Sequence, residues 1–98
     1  MLVKIHKSYR DIVAICDSEL LGRRFEEGER VLDVKEGFFG GEEVGEDWLE
    51  GLILKFSKED ATFNIVGEKS IQTALKTGII NKEGIKTVQG IPFALVLL

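Results

Sequence analysis

Two five-residue runs rich in β-branched side chains open the chain, and the short polar link between them leaves little choice of local fold. Leu2-Val3-Lys4-Ile5-His6 and Ile12-Val13-Ala14-Ile15-Cys16 stand on either side of Ser8-Tyr9-Arg10. β-Branched side chains suit a pleated surface, and a turn of this length joins two such runs as an antiparallel hairpin. A three-residue loop sets Val3 opposite Ile15, Ile5 opposite Val13 and Lys7 opposite Asp11. The first two pairs gather apolar surface on one face. The third is an exposed ion pair of little energetic weight.

Glycine punctuates the rest, with eleven against a single proline, so glycine sets the turns. Residues 17–22 turn the chain, and the alternation of residues 30–35 predicts a third strand in which Val31 faces less regularly. Gly37-Phe38-Phe39-Gly40-Gly41 is unusual, because adjacent aromatics on an extended backbone cannot both face one core. Trp48, Leu49, Leu52, Ile53 and Phe56 recur at helical spacing behind Glu46 and Asp47, which suit the positive end of a helix dipole. That stripe assigns Trp48 and Phe56 to the core, as Phe63 is assigned on its strand. Gly51 inside the helix costs on the order of 1 kcal/mol relative to alanine and leaves room for another backbone to approach. Residues 61–65 alternate as a strand, although Ser57 with Asp60 also fits a capping box that would start a helix. Residues 67–77 read as a helix with an Ile71, Ala74, Leu75 stripe and Gly78 as its left-handed stop. Residues 85–88 and 93–97 finish as strands with Gly90-Ile91-Pro92 between them. The expected fold is α+β, a mostly antiparallel sheet with two helices in one small domain over residues 1–98.

Composition and charge exclude several functions. Apolar residues are 44% and charged residues 31%, the balance of a soluble globule. No apolar run suits a transmembrane helix and no secretory signal follows Met1, so a cytoplasmic location is expected. The formal net charge is −4. It divides unevenly: +2 over residues 1–24, −8 over residues 25–60 and +2 over residues 61–98. An acidic chain does not coat DNA, because counterion release needs several cations on one face. A localised RNA contact built from the two basic ends is compatible with this pattern, provided that the ends fold into one positive platform.

Catalytic chemistry finds little support. The single cysteine and single histidine rule out an internal disulfide and the usual Cys/His zinc site. In the hairpin register His6 and Cys16 lie at opposite ends, about 15 Å apart at about 3.4 Å per residue, so they form no nucleophile–base pair. The acidic pairs Glu26-Glu27, Glu42-Glu43 and Glu46-Asp47 read as solvent-exposed charges on glycine-flanked loops, whereas paired-carboxylate catalysis needs two carboxyls across a cleft, one of them buried. Oxygen ligation of a divalent ion among Asp33, Glu36, Glu42 and Glu43 lacks EF-hand spacing. Gly37-x-x-Gly40-Gly41 matches no phosphate-binding loop, and the Gly67 and Glu68 amides could seat an anion at a helix start. No catalytic residue, metal or cofactor is therefore expected.

RNA contact uses aromatics beside cations. Lys7, Tyr9 and Arg10 at the hairpin tip, and Arg23 and Arg24 before Phe25, meet that description. Phe39 and Asn64 are the outlying candidates, Asn64 as an amide that either ties two loops or faces a ligand.

Five pieces in order strengthen this reading: Ala14-Ile15-Cys16-Asp17-x-x-Leu20-Leu21-Gly22-x-x-Phe25, Phe38-Phe39-Gly40-Gly41, Asn64-Ile65-Val66-Gly67-Glu68, Ala74-x-x-x-Gly78 and Gly90-Ile91-Pro92. Together they resemble the archaeal family known as domain of unknown function 424. The resemblance implies a small cytosolic archaeal protein without established enzymatic activity, with an RNA-binding role suggested for such proteins. Phe93 stands where the family tends to carry histidine, and Phe39 where tyrosine is more usual, so an acid–base role at either position is absent here. The resulting expectation is a non-catalytic domain associated with RNA or the translation apparatus. The alternative is a protein-interaction module, a homodimer through the edge of residues 93–98.

Overall fold

The first hairpin takes the register its side chains require. In the computed structural model, which describes Met1–Leu98, strand β1 (Leu2–His6) pairs antiparallel with β2 (Ile12–Cys16), setting Val3 against Ile15 and Ile5 against Val13. Beyond the hairpin come β3 (Arg24–Glu27), β4 (Arg30–Asp33), α1 (Glu36–Phe39), β5 (Glu42–Glu43), α2 (Glu46–Phe56), β6 (Thr62–Val66), α3 (Glu68–Thr77), β7 (Lys86–Val88) and β8 (Ile91–Leu97). A six-stranded sheet runs in the order β5-β1-β2-β6-β8-β7, and β3 with β4 forms a separate two-stranded ribbon. The fold is α+β and mostly antiparallel, with β2–β6 the one parallel pair. Parallel neighbours need a long crossover, and the whole stretch from β3 to α2 supplies it.

Strand alternation divides the interior into two layers. Val13 and Ile15 of β2, Phe63 and Ile65 of β6, and Ala94 and Val96 of β8 point to one face. There they meet Leu49, Ile53 and Phe56 of α2 and Ile71 and Ala74 of α3. Ala14, Cys16 and Val66 point to the other face, covered by Leu20, Phe25, Leu32, Val34 and Phe39. The centre of β2 is thus buried on both sides, as parallel-paired strands are. Burying Phe63 alone is worth roughly 2–3 kcal/mol relative to exposure.

Several local expectations change. Residues 24–27 are a strand, because Phe25 meets Leu32 across the ribbon and its alternation is hidden by flanking charges. The β4 strand stops at Asp33. Phe38 and Phe39 lie on the short helix α1, where a helical turn lets both rings pack on the second layer. Residues 62–66 are a strand, and Ser57 ends α2 instead of starting a helix. Ile91 and Pro92 belong to β8, opposite Val88 and Thr87, so Gln89 and Gly90 alone form the β7–β8 turn. Both have positive φ, 51° and 77°, as a tight two-residue hairpin demands. No helix is long and apolar enough to cross a membrane.

Candidate functional site

The motif residues converge first on a structural junction. Asp17 leaves β2 and its buried carboxylate reaches the start of α3. Its Oδ2 accepts from the Lys69 amide at 3.0 Å, and its Oδ1 accepts from the Ser70 amide and the Ser70 hydroxyl, each at 2.8 Å. These are first-turn donors that the helix cannot satisfy internally. Gly67 holds a φ of 109°, and a Cβ there would overlap the Asp17 carboxylate. The Gly67 amide donates to the Pro92 carbonyl at 2.8 Å. So the anion seat expected at residues 67–68 is filled by the chain's own carboxylate, placed fifty-odd residues away in sequence by the parallel β2–β6 pairing. An external anion has no room there.

The groups with possible reactivity are also committed. Cys16 is fully buried, and burial, seconded by the Asp17 charge, pushes its thiol up to about 11. His6 lies at the far end of the hairpin, its Nε2 2.8 Å from the Phe38 carbonyl and its ring stacked on Phe38 at 4.8 Å. The Glu43 carboxylate accepts from the α-amino group of Met1 at 2.6 Å and from Ser18 Oγ at 2.7 Å. Those two hydrogen bonds hold its pKa below the usual carboxylate value.

The sequence-derived RNA residues fall into separate places. Lys7, Tyr9 and Arg10 form the hairpin tip, where Tyr9 is fully exposed. Lys7 Nζ lies 3.2 Å from Asp11, and Arg10 donates to the Leu98 carbonyl at 3.0 Å. Arg23 and Arg24 follow the turn that leaves the other end of β2. Arg23 stacks over Phe25 at 4.9 Å and Arg24 lies 3.5 Å from Glu26. The ribbon they open is tied to the β7–β8 turn through Gln89, whose side chain donates to the Glu26 carbonyl at 2.7 Å. The two cationic groups therefore occupy opposite ends of the sheet, with acids among them. The candidate cations of residues 7–10 and of residues 23–24 form no single cluster, because β2 runs its full length between them.

Phe39 is 6% exposed and belongs to the second core layer, so its ring is not free to stack on a base. Asn64 ties no loops. It stands in mid-strand, between Ala14 and Leu95, on the wall of a groove of about 360 Å³ that Phe38, Phe93 and Val31 also line.

One functional candidate escaped the sequence reading. The buried face of α2 is Leu49, Ile53 and Phe56, and Trp48 falls beside that stripe at 53% exposed. The indole lines a groove of about 590 Å³ with Ile5, Lys7, Leu52 and Lys55. Lys7 and Lys55, from the hairpin and from α2, each carry a charge 5.7 Å from the centre of the same Phe56 ring. Asp47 is the one carboxylate on the wall. No backbone approaches Gly51, for a Cβ added there would meet nothing within 4 Å. An aromatic at i with a lysine at i+7 signals a shared helix face, and that spacing was available in the sequence.

Comparison with known proteins agrees with this picture at the level of fold. A family model described as "Protein of unknown function (DUF424)" matches residues 6–98. The chain is similar to a crystal structure of an uncharacterized conserved protein from Methanopyrus kandleri, with a TM-score of 0.78 and 24% identity over 98% of this chain and 90% of that one. No curated protein matches.

Proposed function

The chain belongs to the DUF424 family, and on that premise we propose that it is a non-catalytic domain that contacts single-stranded RNA through its β1–β2 hairpin tip. The observation that carries this reading is Tyr9, a fully exposed aromatic between Lys7 and Arg10 that no packing requirement explains. Stacking of a base on an exposed aromatic is worth about 1–3 kcal/mol and neighbouring cations hold the phosphates. The Lys7–Asp11 pair is exposed and weak, so a phosphate competes for that lysine. Arg23 and Arg24, at the far end of the sheet, would serve only a strand long enough to cross it. The burial of Cys16 and the internal partners of His6, Asp17 and Glu43 support the non-catalytic reading. Association with the translation apparatus in an archaeal cytoplasm is the setting this reading implies.

Fluorescence anisotropy of a labelled single-stranded RNA tests it. Binding should weaken as salt rises, and Tyr9→Ala should lower affinity by about tenfold. Absence of binding at low salt refutes the proposal.

A second reading rests on a different observation. β7 pairs with β8 only from Ile91 to Phe93, which leaves the outer edge of β8 open from Ala94 onward. Leu95 and Leu97 beside that edge are 58% and 69% exposed, and no charge interrupts residues 91–98. An uncharged open edge is a template for pairing with a second copy. Light scattering distinguishes the cases: a dimer dispersed by Leu95→Lys with Leu97→Lys supports this reading, and a monomer in the parent chain removes it.

A further inference from the structure

Gly51 is out of place in an ordinary surface helix. It stands in the interior of α2, where glycine costs about 1 kcal/mol relative to alanine. Its usual justification, close approach of another element, is missing, since the space over it is open to 4 Å. What the missing side chain does leave is a floor. Gly51 lies three residues after Trp48 and four before Lys55, so the three share one helix face with the glycine in the middle. Opposite stands Lys7 of the hairpin.

The walls of this groove differ chemically from side to side. One is the Trp48 indole, with apolar neighbours in Ile5 and Leu52. The other carries the Lys7 and Lys55 charges, both 5.7 Å from the Phe56 ring centre and hence no further apart than twice that distance. An aromatic side chain next to two cations is complementary to a flat aromatic that bears an anion. The groove volume of about 590 Å³ lies in the range of small-ligand sites.

We propose that the groove between α2 and the hairpin tip seats one nucleotide of an RNA strand, its base on Trp48 over Gly51 and its phosphate between Lys7 and Lys55. The RNA source rests on the function proposed above, and Lys7 joins the two, since it belongs both to the Tyr9 tip and to this groove. Tyr9 and Trp48 then stack successive parts of one strand. Asp47 at the rim disfavours a second phosphate on its side.

Trp48 is the single tryptophan, so its emission reports this groove alone. The intact chain is titrated with a short oligoadenylate while indole fluorescence and the anisotropy of a dye on the strand are both followed. The proposal expects quenching that saturates with the same Kd as the anisotropy. Gly51→Leu fills the floor between Trp48 and Lys55 while leaving both residues in the chain, and it removes a glycine from a helix, so the chain stays folded; it should raise Kd at least tenfold. Lys55→Gln should raise Kd and flatten its salt dependence. A strand that binds without altering Trp48 emission, and equally to the Gly51→Leu chain, overturns the pocket and leaves the RNA reading standing. Quenching by adenosine monophosphate without strand binding upholds the pocket but overturns the strand as its source. Silence from both probes overturns the pocket and the RNA reading together.

Discussion

Removing the Asp17 carboxylate probes the junction on which the motif residues converge. Asp17→Ala abolishes three charge-assisted hydrogen bonds, to the amides of Lys69 and Ser70 and to the Ser70 hydroxyl. Water can replace the partly buried bond to the Lys69 amide, but Ser70 is fully buried and its two donors would be left without partners. Loss of a helix cap costs about 0.5–2 kcal/mol and a stranded buried donor about 1–3 kcal/mol, which together give about 3 kcal/mol. That is a large part of the roughly 5–15 kcal/mol that holds a domain of this size. With a urea slope of about 1.5 kcal/mol per molar, the unfolding midpoint should fall by roughly 2 M. Gly67→Ala attacks the same junction from the other side, through φ strain of about 1–3 kcal/mol and through overlap with the carboxylate. In the Asp17→Ala background the overlap disappears and only the strain persists. The double variant should therefore be more stable than the sum of the single losses predicts, by about 1 kcal/mol or more. Strict additivity in urea denaturation, or a loss below about 1 kcal/mol for Asp17→Ala, refutes the assignment of Asp17 as the cap of α3.

Other outcomes are open to simpler measurements. Gly51→Ala should raise stability by about 0.5–1 kcal/mol in thermal denaturation, because nothing lies near the added methyl. Gly41→Ala should destabilise the chain markedly, since its Cβ would overlap the Val3 carbonyl where β5 joins β1. Native Cys16 should resist thiol reagents near pH 8 and react only upon unfolding, for its thiol is pushed from 9.0 to about 11. The same shift makes stability depend on alkaline pH. Between pH 9 and 11 the unfolded chain loses the proton that the folded chain retains. Stability should fall there by about 1.4 kcal/mol per pH unit, a slope that Cys16→Ala removes.

Much of the fold is legible locally. The β1–β2 register, the helical span of α2 and the Gly78 end of α3 follow from residue type and spacing, because period and turn chemistry act within a few residues. The strand at residues 24–27 was hidden, since Phe25 is its only buried side chain and charges surround it. The site was less legible than the fold. Tyr9 is exposed as expected, but Phe39 is core and Trp48 is not. Both exchanges arise because an apolar stripe records that a residue can be buried, and the width of the covering layer decides whether it is. On α2 the sheet covers the Leu49, Ile53 and Phe56 line and stops short of the indole.

By itself the sequence determined an α+β domain, its first hairpin, its two long helices and, from a single cysteine, that no disulfide closes within the chain, for these depend on local pattern and on which residue types exist. Only tertiary structure decided that Asp17 caps a helix far along the chain, that the cations of the hairpin and of residues 23–24 end up apart, and that Trp48, Gly51, Lys55 and Lys7 share a groove. The Asp17 cap depends on the parallel pairing of β2 with β6, the Trp48 groove on the crossover that returns α2 to the hairpin, and the separation of the cations on the length of β2 between them. Alternation within a strand specifies which side is apolar, whereas the neighbour that meets it is chosen by contacts between residues many turns of chain apart.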